Sequence, residues 1–193
     1  MKKLIVSLLL ASSALAGTAQ TKWTVDAAHS SVRFAVTHLT VAKTVGYFSE
    51  YDLNVTSSNE DFSGSQVELT IQANSINTAN EARDKHLKGP DFFDAEKYPT
   101  ITFKSTSFKK TKGNQYKIEG DLTMHGVTKK VTLDGVYGGT RKDPYGNTKA
   151  GFAISGKISR KDFNMAWGAP LEGGGNILDD MVDIACDVEL KKN

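Results

Sequence analysis

The sequence predicts an all-β domain of about eight antiparallel strands with one short helical insert. Three observations carry this. Apolar residues recur at every second position in one segment after another, turn-forming clusters separate the segments, and a single stretch breaks the rhythm with a helix-start signature.

The alternation begins with Val32, Phe34 and Val36, set against Arg33, Ala35 and Thr37. Val45, Tyr47, Ser49, Tyr51, Leu53 and Val55 extend the habit, as do Val67, Leu69, Ile71 and Ala73 between Gln66, Glu68, Thr70 and Gln72. Ile101 and Phe103 follow, then Tyr116, Ile118, Leu122 and Met124, then Val127, Val131 and Leu133. Phe152, Ile154 and Ile158 come next, and Val182, Ile184, Cys186, Val188 and Leu190 close the series. Successive strand side chains point to opposite faces, so each segment has one dry and one wet face. Ser57-Ser58-Asn59, Lys112-Gly113-Asn114 and Asp143-Pro144-Tyr145-Gly146-Asn147 supply turns. This pattern suits a sandwich or a closed barrel, and alternation does not separate the two; closure would remove the exposed edges of so large a sheet.

The break in rhythm is Thr78-Ala79-Asn80-Glu81, which reads as a capping box opening a helix through Leu87, ended by Lys88-Gly89-Pro90. Asp91-Phe92-Phe93-Asp94 is expected to start a further helical turn before Pro99. The insert is expected to cover one end of a barrel. A second irregular stretch, Asp162 to Asp180, holds Trp167, Pro170 and Gly173-Gly174-Gly175 and reads as a lid with flexible backbone.

Residues 1–16 read as a cleaved signal peptide, leaving 17–193 as a single domain. Lys2 and Lys3 precede an apolar run from Leu4 to Leu15, and Ala14-Leu15-Ala16 offers the small residues of a cleavage site before Gly17. Export to the periplasm, with secretion beyond it left open, is the expectation. Without Lys2 and Lys3 the 24 basic residues become 22, equal to the 22 acidic ones. No basic stripe is visible, which argues against nucleic-acid binding. Cys186 has no partner for an internal disulfide and reads as a small buried hydrophobe.

Little in the sequence speaks for catalysis. His29, His38, His86 and His125 are scattered without metal-ligand spacing, and no nucleophile elbow or phosphate-binding glycine loop occurs. No metal, no cofactor and no enzymatic activity are therefore expected. His38 shares parity with Val32, Phe34 and Val36, so it reads either as a head-group contact inside a barrel mouth or as a rim histidine satisfied by backbone. Arg83 and His86, three apart on one helix face, could meet a phosphate or carboxylate there or belong to a solvated helix.

Several ordered motifs resemble the YceI-like family. These are Trp23-Thr24-Val25-Asp26 with His29-Ser30, Phe34 and His38-Leu39; Gly46-Tyr47-Phe48; and Ser75-Ile76-Asn77-Thr78 with Arg83-Asp84-Lys85-His86-Leu87 and Asp91-Phe92-Phe93-Asp94. Tyr98 to Phe103, Gly120 to Thr128 and Ser159 to Phe163 complete the set in order. The resemblance implies a lipocalin-like barrel, exported to the periplasm, that holds a long isoprenoid chain of the polyprenyl phosphate or quinone type. The expected ligand-binding residues are Val32, Phe34, Val36, Tyr47, Leu69, Ile71, Phe103, Ile118, Phe152, Ile154 and Ile184 along the wall, with His38, Arg83 and His86 at the mouth. Carriage, sequestration or storage of an isoprenoid or quinone-like molecule would fit, leaving room for transient contact with a membrane surface during exchange. Two other readings are an enzyme acting on a lipid head group at the mouth, through His38, Arg83 or His125, and a filled structural β-sandwich.

Overall fold

Among the described residues, eleven strands make eight staves of a closed antiparallel barrel, because three of the staves are broken in two. The computed structural model describes residues 20–193, so the proposed signal peptide lies outside the described residues. β1 (Thr21–Val25) and β2 (Ser31–His38) run along the same neighbour, separated by a 3-10 turn at Ala27–His29. β3 (Ala42–Phe48) and β4 (Tyr51–Ser57) are likewise parted by Ser49 and Glu50. β5 (Gln66–Gln72) and β6 (Ile76–Asn77) are parted by a turn at Ala73–Ser75. The remaining staves are β7 (Thr100–Lys110), β8 (Gln115–Met124), β9 (Val127–Lys142), β10 (Thr148–Ser159) and β11 (Leu178–Lys192).

Each stave pairs with the next in sequence, and β11 closes the circle. Its C-terminal end pairs with β1 (Val25 opposite Leu190), and its N-terminal part with β2 (Phe34 opposite Ile184). A sandwich would leave two open sheets; this sheet returns on itself.

Each break also reverses which alternate residues face inward. In β3 the buried positions are Gly46 and Phe48, whereas in β4 they are Leu53, Val55 and Ser57. The continuous series from Val45 to Val55 expected from sequence is therefore two series of opposite parity. Tyr47 falls on the outer face, 44% exposed, opposite Arg33.

Two apolar clusters fill the interior. One gathers Trp23, Phe62, Phe108, Tyr116, Phe152 and Leu190 at the end carrying the β4–β5, β7–β8 and β9–β10 turns. The other gathers Val32, Phe48, Ile76, Met124, Phe163 and Met165 toward the opposite rim. Leu69, Leu122 and Val131 pack against both and mark the middle.

Helix α1 (Glu81–Lys88) sits at the rim end. Its cap is Asn80, whose side chain accepts from the Arg83 amide at 3.0 Å, and not the expected Thr78. Thr78 lies two residues too early because Ala79 takes a left-handed φ of 57°; its hydroxyl instead donates to Asp84 at 2.6 Å. Asp91 to Asp94 form hydrogen-bonded turns, not helix. The Phe93 amide donates back to Leu87 and the Asp94 amide to Gly89, folding the segment under the end of α1.

On the staves, charged side chains face outward and several pair across strands. Glu68 is directly opposite Lys104, and Lys117 directly opposite Asp134, each forming an ion pair. Where β1 kinks, Lys149 of β10 donates to both Asp26 and Glu189. The Lys149 ammonium, followed by His29, holds the Asp26 carboxyl down at about 2. A carboxylate depressed in the fold stabilises above its ordinary range and loses that contribution as pH falls through the folded value. Lys149→Met is expected to lower Tm by about 2–4 °C at pH 7. It should also flatten the loss of Tm between about pH 4 and pH 2, measured by thermal melts across that range.

Candidate ligand-binding site

The barrel encloses a cavity of about 220 Å³ whose wall presents no polar surface. Its lining runs along β11 from Leu178, past an irregularity, to Leu190, and the regular stretch from Val182 alone is about 26 Å of strand at roughly 3.3 Å per residue. Strands in barrels tilt by about 40°, so the depth is roughly 20 Å. Spread over that depth, the volume is a thread and not a bowl.

Ten of the expected wall residues line it: Val32, Phe34 and Val36 on β2, Leu69 and Ile71 on β5, Phe103 on β7, Ile118 on β8, Phe152 and Ile154 on β10, and Ile184 on β11. Gly46 is what lets Phe34 turn inward, since a Cβ there would overlap the Phe34 ring and the Thr78 methyl.

The four other expected contacts lie elsewhere. Tyr47 faces outward for the reason of parity given above. His38 has inward parity but is exposed at the last position of β2, opposite Leu178, and does not line the cavity although Leu178 does. Arg83 is turned toward its own helix start: Nε donates to Thr78 Oγ1 and Nη2 to the Thr78 carbonyl, both at 2.8 Å. His86 Nε2 is 2.9 Å from Asp91 Oδ2, and its ring meets Phe92 and Trp167 edge-on at 5.0 and 5.2 Å. His86 thus joins the insert to the long loop without touching the cavity. His125 is bound through Nδ1 to the Phe163 carbonyl at 2.9 Å and packs on Tyr98. Arg83, His86 and His125 thus have separate partners.

The roof consists of Leu87, Phe92 and Phe93 from the insert and Met165 from the long loop. Arg160, 4% exposed, holds that loop in place. Its guanidinium donates to the carbonyls of Met165, Trp167, Leu178 and Asp179 and to Asp180 Oδ1, using all five of its hydrogens. It borders the cavity and has no donor left for an anion.

The triple glycine is an ordered hairpin tip. Gly173, Gly174 and Gly175 all have positive φ, the Leu171 amide donates to Gly175 and the Ile177 amide to Ala169. Only glycine takes three such positions in a row without strain.

Within the wall, burial pushes the Cys186 thiol up to about 11 and raises the Tyr51 hydroxyl above its ordinary value. Both stay neutral at physiological pH. On the outside, Asp26, His29 and Glu189 approach within 4.8 Å of one another, donor types that suit a metal. The Lys149 ammonium already balances the two carboxylates.

A family model described as the YceI-like domain matches residues 23–190. The chain belongs to the YceI-like family. A UPF0312 protein from Photorhabdus laumondii is 43% identical over 157 residues, covering 81% of this chain and 80% of its own. The crystal structure of Burkholderia cenocepacia BcnA superposes with a TM-score of 0.73 at 24% identity, over 86% of this chain and 98% of that one. A polyisoprenoid binding domain from Saccharophagus degradans, implicated in plant cell wall breakdown, gives 0.63 at 16% identity, over 89% and 98%. At these identities the two solved structures are similar in fold.

Phe62 and Met165 line this YceI-like barrel from loops and escaped sequence reasoning, which placed the insert over one barrel end without singling out its Leu87, Phe92 and Phe93 as cavity contacts. Alternation is silent on loops. A lone aromatic among Asp61, Ser63 and Gly64 was the available signal. Replacing Arg160 with Ala would orphan four carbonyls and is expected to cost about 3–5 kcal/mol in urea unfolding. Arg160→Lys, with three donors on one nitrogen, should recover only part of it.

Proposed function

We propose that this protein is an exported lipid carrier that holds one long isoprenoid chain, of the polyprenyl phosphate or quinone type, inside its barrel. The observation that supports this most is the apolar thread from the Phe92–Phe93 roof to Phe62, along which the wall exposes no polar surface. A hydrocarbon chain is the ligand such a wall favours, each buried CH₂-sized group contributing about 0.8 kcal/mol. The polyisoprenoid ligand class of the Saccharophagus degradans domain supports the choice of isoprenoid.

The polar end of the ligand stays at the rim, where Arg160 and Arg83 are committed to protein acceptors. The role is binding, not turnover. Export is supported by the basic start, apolar run and small-residue cleavage pattern of residues 1–16. Exchange with a membrane surface is supported by the apolar residues exposed at the rim end. Val41 is 84% exposed at the β2–β3 turn, with Leu39 beside it and Trp167 on the long loop.

Native mass spectrometry of protein purified by mild extraction tests the proposal. The expected result is an isoprenoid adduct, or uptake of polyprenyl phosphate or a quinone by the stripped protein; neither would overturn it. Phe34→Asp and Ile154→Asp, each placing an unpaired charge on the dry wall, are expected to abolish uptake or folding. Lys104→Glu, on a side chain 75% exposed, should be tolerated within about 1 kcal/mol despite losing its pair with Glu68.

A further inference from the structure

We propose that Phe62 is the residue that limits how long a chain the barrel accepts. This rests on the isoprenoid reading above and adds to it the determinant of chain length.

Phe62 belongs to the β4–β5 loop, among Ser, Asn, Asp and Gly residues that belong in water, yet it is 1% exposed and lines the cavity. Its backbone has φ of 61°, a region that costs a side-chain-bearing residue energy and persists only where the surroundings enforce it. The enforcement is visible. Asn59 Nδ2 donates to the Ser63 carbonyl at 2.7 Å, Ser65 Oγ to the Phe62 carbonyl at 2.7 Å, and the Gly64 amide to Phe108 of β7 at 2.8 Å. Tyr116 donates its hydroxyl to the Asp61 carbonyl, and Lys110 pairs with the Asp61 carboxylate at 3.2 Å. The loop is fastened to two neighbouring strands with its one aromatic side chain driven inward.

Inside, the Phe62 ring meets Trp23 at 5.0 Å, Phe152 at 5.1 Å and Tyr137 at 5.6 Å between centroids. These rings form a floor across the channel, opposite the roof of insert and long loop. A chain threaded from the rim gains affinity with each unit it buries until its end reaches that floor. Units beyond that length stay in water at the rim and add nothing. The plateau in affinity against chain length is therefore set by where Phe62 stands.

Three variants move the stop. Phe62→Ala removes the ring, and Phe62→Leu lowers the floor while keeping an apolar plug. Val131→Phe places new bulk at mid-channel, where Val131 touches both clusters. Lipid-stripped full-length protein is titrated with farnesol, geranylgeraniol and solanesol by native mass spectrometry, with folding checked by circular dichroism. The two Phe62 variants are expected to tighten solanesol relative to farnesol by about tenfold, the gain from burying roughly two more CH₂-sized groups. Val131→Phe is expected to move the preference the other way. Folded variants that keep the wild-type length profile overturn the proposal, and if Phe62→Ala does not fold, Phe62→Leu and Val131→Phe decide it. Wild-type protein that takes up no alcohol of any length overturns the isoprenoid reading instead, and the length limit with it.

Discussion

Everything in this molecule depends on the pairing of β11 with both halves of the first stave. That contact turns a row of hairpins into a closed wall, removes the sheet edges and makes one side of every strand an interior. An interior bounded by eight strands is just wide enough to be filled by side chains or to hold one slender guest. Here aromatic rings crowd the floor half, and a thread of space runs from the roof down to the Phe62 ring. The kinks make this division workable. By reversing parity between β3 and β4, the chain directs Phe48 inward near the rim and Leu53 and Val55 inward near the floor.

Electrostatics follow the same partition. Outward-facing positions carry cross-strand pairs such as Glu68–Lys104 and Lys117–Asp134, which explains a sequence of mixed, nearly balanced charge. The inward face keeps Cys186 and Tyr51 neutral. Of the two arginines bordering the cavity, Arg33 pairs outward with Asp187 and Arg160 is saturated by carbonyls of the loop it anchors. With Arg83, His86, His125 and Arg160 already partnered, the rim favours a ligand recognised by its chain rather than by its charge.

Much of this was legible in the sequence where side-chain period and strand face are the same information. Ten wall residues on unbroken runs lie where alternation placed them. Legibility failed where the backbone departs from strand geometry. Alternation misplaces Tyr47 because a two-residue kink leaves no mark on a series of apolar residues that runs on through it. Thr78 was read as a cap because the left-handed turn at Ala79, which moves the helix start to Asn80, is not encoded by a glycine. Gly173 to Gly175 read as slack backbone, yet three consecutive positive φ values make a tight hairpin tip. Phe62 and the roof aromatics sit on loops, whose inward direction is set by tertiary contacts with no period to betray it.

The central claim is that the dry thread inside the barrel is a place for a hydrocarbon chain. A crystal structure of the protein purified from its own source, without detergent, tests this most directly. Unbroken elongated density is expected from the Phe92–Phe93 roof down to the Phe62 ring. Wall side chains meeting across the axis, or isolated waters in place of that density, would contradict it.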